Sequence, residues 1–205
     1  MDVRVGVLGG TFDPVHNGHL IIAEEAMAEL GLSKVVFIPA GRPWFKDGEN
    51  VSDMQRRLDM LRLAVEGNPS FVIDTQELER PGASYTVDTM EQLAAQMGQD
   101  VQLFFIIGID ALAELGRWKG PRRLASICHF ATMRRPGYTE LDVAALDREV
   151  TGVSDRVHVL DNVQVDISSS DIRKRVEQGL SIRYLTPPAV RSYIEEQGLY
   201  RGPSG

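Results

Sequence analysis

The feature that most constrains this chain is an alternation of two hydrophobic periods. Short runs of β-branched and aromatic residues are each followed by a longer stretch with an apolar stripe at helical spacing. "VRVGVLGG" (3–10) reads as a buried parallel strand, and "HLIIAEEAMAELG" (19–31) follows with Leu20, Ala23, Met27 and Leu30 on one side and Gly31 as its stop. "KVVFIPAG" (34–41) is a second strand, ended by Pro39. "SDMQRRLDMLRLAVEG" (52–67) is a second helix with Ser52 as its expected N-cap. "FVIDTQEL" (71–78) reads as a third strand and "SYTVDTMEQLAAQM" (84–97) as a third helix. "VQLFFIIG" (101–108) is the most apolar strand, and therefore central. "ICHFATMRR" and "RVHVL" read as further strands, and a strand is expected to end at Ile167. Helices near "DIRKRVEQG" and "PAVRSYIEEQG" close the pattern.

Strands alternating with helices form βαβ units, so the expected fold class is α/β: a Rossmann-like, doubly wound parallel sheet. The length of 205 residues suits one substantial core, and no repeat or composition shift marks a boundary, so residues 1–205 are read as a single domain. "KDGEN" and "RRPGYTELD" read as mobile surface loops and "RGPSG" as a frayed tail. In such sheets ligands bind beyond the carboxyl ends of the strands. Unusual residues gather at those ends: Gly9 to His19, Pro39 to Lys46, Gly108 to Trp118, and Arg134 to Tyr138.

Charge and cysteine usage bound the function. A net charge of −7 argues against general nucleic-acid binding, while Arg122-Arg123, Arg134-Arg135 and Arg173-Lys174-Arg175 leave room for a local basic pocket. The one cysteine, Cys128, excludes an internal disulfide and a multi-thiolate metal site, and its apolar neighbours make it a buried small hydrophobe. With no signal pattern and no apolar run near 18 residues, no membrane association and a cytoplasmic location are expected.

The first chemically loaded stretch is "GGTFDPVHNGHL" (9–20). It fits neither G-x-G-x-x-G nor the P-loop, which disfavours a dinucleotide-dependent dehydrogenase. Glycines between a strand and a helix still let backbone N–H groups approach an anion at the helix start. His16 and His19 would present ring donors toward the same place. A metal reading would need Asp13 beside the two histidines, and His129 and His158 fall in predicted strands away from them, so a protein-held metal is not expected. The second stretch, "ISSSDIR" (167–173), opens another helix. Ser168 and Asp171 make a capping box, spare hydroxyls face the loop mouth, and Arg173 offers a forked cation.

These two stretches resemble the paired signatures of the nucleotidyltransferase superfamily, T/H-x-G-H and Ile-Ser-Ser/Thr-x-x-Arg. "IPAGRPWFK", "ASYTVDTM", "FFIIGIDALAELGRWK" and "RRPGY" narrow the resemblance to the bacterial nicotinate-nucleotide adenylyltransferases, across essentially the whole chain. The resemblance implies transfer of the adenylyl group of ATP to nicotinate mononucleotide, releasing pyrophosphate, with Mg²⁺ carried by ATP. By the same resemblance His16, His19, Lys46 and Arg173 carry the chemistry. The backbone around Gly9, Gly10, Thr11 and Phe12 would wrap ATP, with Gly108 and Asp110 near its ribose and Ile167, Ser168 and Ser169 at its outer phosphates. Lys46, Tyr85, Thr86, Trp118 and Arg135 would meet the mononucleotide. Relatives often read "PPHK" where this chain has "PWFK", so the reach of Lys46 is left open. Homo-oligomer formation is also left open.

Phosphopantetheine adenylyltransferases share both motifs, but "SYTVDT" and "GRWK" are not expected there. Class I aminoacyl-tRNA synthetases share a related His-x-Gly-His, but those chains are longer. A non-catalytic nucleotide sensor on the same fold would be expected to lose His19, Lys46 or Arg173, and all three are present.

Overall fold

The computed structural model describes residues 3–41, 51–133, 141–160 and 165–202. In chain order the elements are β1 (Val3–Gly10), α1 (Asn17–Leu30), β2 (Lys34–Pro39), α2 (Met54–Val65), β3 (Phe71–Ile73), α3 (Gln76–Glu79), α4 (Thr86–Met97), β4 (Val101–Gly108), α5 (Ile109–Ala113), α6 (Pro121–Ile127), β5 (Cys128–Met133), α7 (Val143–Glu149), β6 (Val157–Leu160), α8 (Ser169–Glu177) and α9 (Pro188–Glu196). Among the described residues the strands form a parallel sheet in the order β3-β2-β1-β4-β5-β6. The order reverses between β1 and β4, and their carboxyl ends frame the crevice where doubly wound sheets bind ligands.

The period-2 pattern of the strands divides the core in two. Leu8, Val35, Phe37, Phe104 and Ile106 face one layer, built on α1, α2, α8 and α9. Val5, Val7, Val36, Ile38, Leu103, Phe105 and Ile107 face the other, built on α4, α5, α6 and α7. Cys128 is buried in that second layer as a small apolar group, and burial pushes its thiol up to about 12. No helix among the described residues is long and apolar enough to cross a membrane.

Several local expectations are corrected. "FVIDTQEL" is not one strand: β3 stops at Ile73, because the Asp74 carboxylate accepts the Gln76 N–H at 2.8 Å and turns the chain into α3. The N-cap of α2 is Asp53, accepting from the Gln55 N–H at 2.9 Å, and not Ser52. The Ser52 N–H is drawn away to the Asp13 carboxylate at 3.0 Å. Val165 to Ser168 run as irregular backbone, so no strand ends at Ile167. Helices α5, α6 and α7 were not anticipated, since each is too short for a clear apolar stripe. "KDGEN", most of "RRPGYTELD" and the end of "RGPSG" lie outside the described residues.

The chain end is tied to the first loop. Tyr200 donates its hydroxyl proton to the Asp13 carboxylate at 2.6 Å, and Asp13 is buried. Burial and the adjoining carboxylate both hold the Tyr200 phenol well above its ordinary range, so it remains a donor. Replacing Tyr200 with Phe removes a donor from a buried carboxylate and is expected to cost about 1–3 kcal/mol. Urea unfolding of Tyr200→Phe beside the wild type measures it, and an unchanged midpoint would show that Asp13 needs no phenol.

Candidate active site

A cleft of about 530 Å³ opens at the carboxyl ends of β1 and β4. Its floor comes from Gly9, Gly10 and Thr11 after β1, and from Gly108 and Asp110 after β4. His16 and His19 line one wall, and Ile167, Ser168 and Ser169 meet them from the start of α8. Thr86, Ser84 and Trp118 line the far end. The two motifs, some 150 residues apart in sequence, are thus brought into one cavity.

Sequence explains how the histidines are placed. His16 is the N-cap residue of α1 and His19 its third helical residue. The His16 N–H donates to His19 Nδ1 at 3.2 Å, and the His19 N–H donates back to the His16 carbonyl at 3.0 Å. Because Nδ1 of His19 accepts, a neutral His19 carries its proton on Nε2, as a donor. The two rings stack with centroids 3.6 Å apart, and the Phe12 ring meets His19 edge-on at 5.0 Å. Burial lowers both imidazoles, His16 to about 4, and His16 further disfavours charge on His19. Without ligand both are therefore neutral near pH 7, and a polyanion arriving beside them would raise both.

Gly18 makes this stacking possible. A Cβ there would meet Nδ1 and Cε1 of His16 at 3.0 and 3.1 Å. The glycine between the two histidines is needed for space, since its backbone is ordinary helix.

The first loop is gripped from behind. Arg57, buried on α2, donates to the carbonyls of Thr11 and Ala40, both at 2.9 Å. Arg173 Nη1 donates to the Asp13 carbonyl at 2.7 Å, and the Ser169 hydroxyl donates to the Pro14 carbonyl at 2.9 Å. Ser168 caps α8 by accepting the Asp171 N–H at 3.1 Å, while its own hydroxyl donates to the Asp171 carboxylate at 2.7 Å.

Three of the expected contact residues do not line the cleft. Phe12 has φ +50 and turns its ring into the core. Tyr85 packs on the second core layer, with the Lys119 ammonium 4.2 Å from its ring centroid. Arg173 is committed to the loop backbone, with Ser170 Oγ 3.4 Å from its Nη2. Lys46 and Arg135 lie outside the described residues. Sequence reading missed Arg57 and Tyr200, since an arginine on an apolar helix and a tyrosine near the chain end carry no motif. It also missed Glu77, which lines the cleft and accepts from Thr89 Oγ1 at 2.7 Å. Burial raises that carboxyl, opposed by Thr89 and Arg80.

A doubly wound sheet with a donor-lined cleft at its crossover is the architecture of an α/β protein that holds a phosphorylated ligand. Residues 7–175 match the cytidylyltransferase-like family model. A protein of Herpetosiphon aurantiacus called "Probable nicotinate-nucleotide adenylyltransferase" is 45% identical over 197 residues, 96% of this chain and 98% of its own. One of the same description from Moorella thermoacetica is 44% identical over 97% of this chain and 92% of its own, and one from Dehalococcoides mccartyi is 40% identical over 98% of both. The fold is shared with the Plasmodium falciparum nicotinic acid mononucleotide adenylyltransferase complexed with NaAD, at a TM-score of 0.75, 17% identity and 97% coverage of both chains. The chain belongs to the nicotinate-nucleotide adenylyltransferase branch of the cytidylyltransferase-like family.

Gly18→Ala favours the helix intrinsically but pushes the His16 ring from its seat. Its expected result is unchanged or slightly raised stability with catalytic turnover lowered about tenfold or more, as for other small displacements of catalytic groups. Thermal melts and steady-state rates on one preparation check this, and a fully active variant would mean the stacking has no role.

Proposed function

We propose that the protein transfers the adenylyl group of ATP to nicotinate mononucleotide, forming nicotinate adenine dinucleotide and pyrophosphate. The observation that carries this reading is the convergence of His16, His19, Ser168 and Ser169 on one cleft that ends at Thr86 and Trp118. The full-length relatives of that description support it.

The chemistry suits these residues. The attacking group is a phosphate monoester with a second pKa of about 6, already anionic at neutral pH, so no general base is called for. One of its oxygens bonds to the α-phosphorus of ATP. The bond from that phosphorus to the bridging oxygen breaks, and its electron pair leaves with pyrophosphate. The task is to hold two polyanions in line and stabilise charge on the phosphoryl oxygens. In this reading His19 Nε2–H donates to the reacting phosphate, with the His16 ring stacked against it. Ser168 and the start of α8 meet the outer phosphates, aided by the helix N-terminus. Gly9, Gly10 and Thr11 let the nucleotide lie close to the backbone, and Asp110 takes the ribose. Lys46 and Arg135 remain phosphate contacts by resemblance alone.

Mg²⁺ enters with ATP in this reading. The described residues hold no group of three His, Cys, Asp or Glu that could form a cage. Mg²⁺ with a nucleotide is ordinarily held by phosphate oxygens and water, with one or two carboxylates. When bound it neutralises charge on the departing pyrophosphate.

At the acceptor end, Trp118 is half-buried, edge-on to Phe105 with centroids 6.2 Å apart, and offers a face for the pyridine ring. The start of α4, with Ser84 and Thr86, supplies donors for the carboxylate that distinguishes nicotinate from nicotinamide. Location in the cytoplasm fits a reaction on soluble nucleotides.

A pyrophosphate-release assay with ATP and each acceptor tests the reading. Nicotinate mononucleotide is expected to be used well and nicotinamide mononucleotide poorly. Activity with phosphopantetheine alone, or with no mononucleotide, would contradict it. His19→Ala is expected to lower kcat by about 10²–10³, the usual loss for one preorganised donor. A raised KM with normal kcat would instead make His19 a uniform binding group.

A further inference from the structure

At the opposite, amino-terminal end of the sheet, three cationic or donor side chains gather around one aromatic ring, and a fourth reaches one of them. The register sets Phe104 beside His129 and Ala131 beside His158, and Arg4 stands near the start of β1. The His129 ring stacks on Phe104 at 4.9 Å with 19° between planes. The His158 ring centroid lies 5.5 Å from that of Phe104, and the Arg4 guanidinium carbon 5.8 Å from the same centroid. None of these residues lines the cleft described above.

The hydrogen bonds run in one direction. Arg156 Nη1 lies 3.5 Å from His129 Nε2, and a guanidinium can only donate. His129 therefore accepts at Nε2 and carries its proton on Nδ1, which faces His158 Nε2 at 3.0 Å. His158 in turn carries its proton on Nδ1, so the relay ends in a donor on a half-exposed ring. Arg4 donates to the Leu30 carbonyl at 3.0 Å. Neither Arg4 nor Arg156 has a carboxylate partner among the described residues.

We propose that Arg4, His129, Arg156 and His158 form a second anion site, suited to an oligophosphate and separate from the cleft. Two guanidinium groups and a terminal imidazole N–H match an anion with several terminal oxygens better than a monatomic ion. The electrostatic surroundings agree. Burial lowers both imidazoles, and Arg156, His158 and Arg4 add to it for His129, which falls to about 4. The inference rests on geometry away from the cleft and stands independently of the reaction proposed above.

The test is proton NMR of the histidine ring signals in the full chain at neutral pH, assigned with His129→Gln and His158→Gln. Inorganic pyrophosphate, orthophosphate and ATP are titrated in turn, with sodium chloride matched for ionic strength. The expected result is a saturable shift of the His129 and His158 signals with pyrophosphate, weaker with orthophosphate. Arg156→Gln and Arg4→Gln should each weaken it by about tenfold or more, the loss expected for one charge-assisted contact. Thermal midpoints and adenylyl transfer should stay near wild type. A response tighter to ATP than to pyrophosphate would support the site and identify a nucleotide as its occupant. Unmoved His129 and His158 signals while those of His16 and His19 respond would overturn the proposal. So would an equal shift with sodium chloride, or full retention of the shift in both arginine variants.

Discussion

The site depends on how one loop's carbonyl groups are held. Between β1 and α1 the loop is seated by Phe12 and Val15, both buried in the core, but that packing does nothing for its backbone carbonyls, which need partners of their own. Its carbonyls at Thr11, Asp13 and Pro14 are each captured by a side chain from another element: Arg57 of α2, then Arg173 and Ser169 of α8. The Asp13 carboxylate adds two further ties, accepting from Ser52 N–H and the Tyr200 hydroxyl. With its acceptors engaged, the loop presents little negative surface to an incoming phosphate chain. Buried polar groups arranged this way are costly unless fully paired, so the network favours one arrangement over its alternatives.

This changes the meaning of the second motif. A serine-rich helix start followed by arginine reads as a phosphate site, and Ser168 does border the cleft. Ser169 and Arg173, however, each give a donor to the backbone of the first motif. The two motifs are therefore one mechanical unit, which accounts for their occurring as a pair. His16 and His19 complete the unit by bonding to each other's backbone, with Gly18 leaving room for the upper ring.

Much of the architecture was legible because it follows from period. Strands of alternating and continuous hydrophobicity, with helical stripes between them, led to the parallel sheet and to the edge where its ligands bind. The site's centre was legible too, since His16, His19, Gly9, Gly108 and Ser168 fall at strand-to-helix transitions. What escaped the sequence was set by tertiary contact. Ser52 is a good cap by type, yet Asp13 claims its N–H, and Asp53 caps instead. Tyr85 stands in the right motif but turns toward the core, a choice made by packing. Arg57 looks like a surface charge on a helix and is in fact a buried brace, which no local pattern could reveal.

The central claim is that α8 shapes the first loop by holding its carbonyls, beyond any charge it brings to phosphate. Hydrogen–deuterium exchange of the segment spanning Gly9 to Leu20, in wild type and Arg173→Ala without nucleotide, tests this most directly. The account predicts faster exchange in that segment in the variant, alongside a lower kcat, with α2 and the distal strands unaffected. Unchanged exchange with only a raised KM for ATP would contradict it and make Arg173 a simple phosphate ligand.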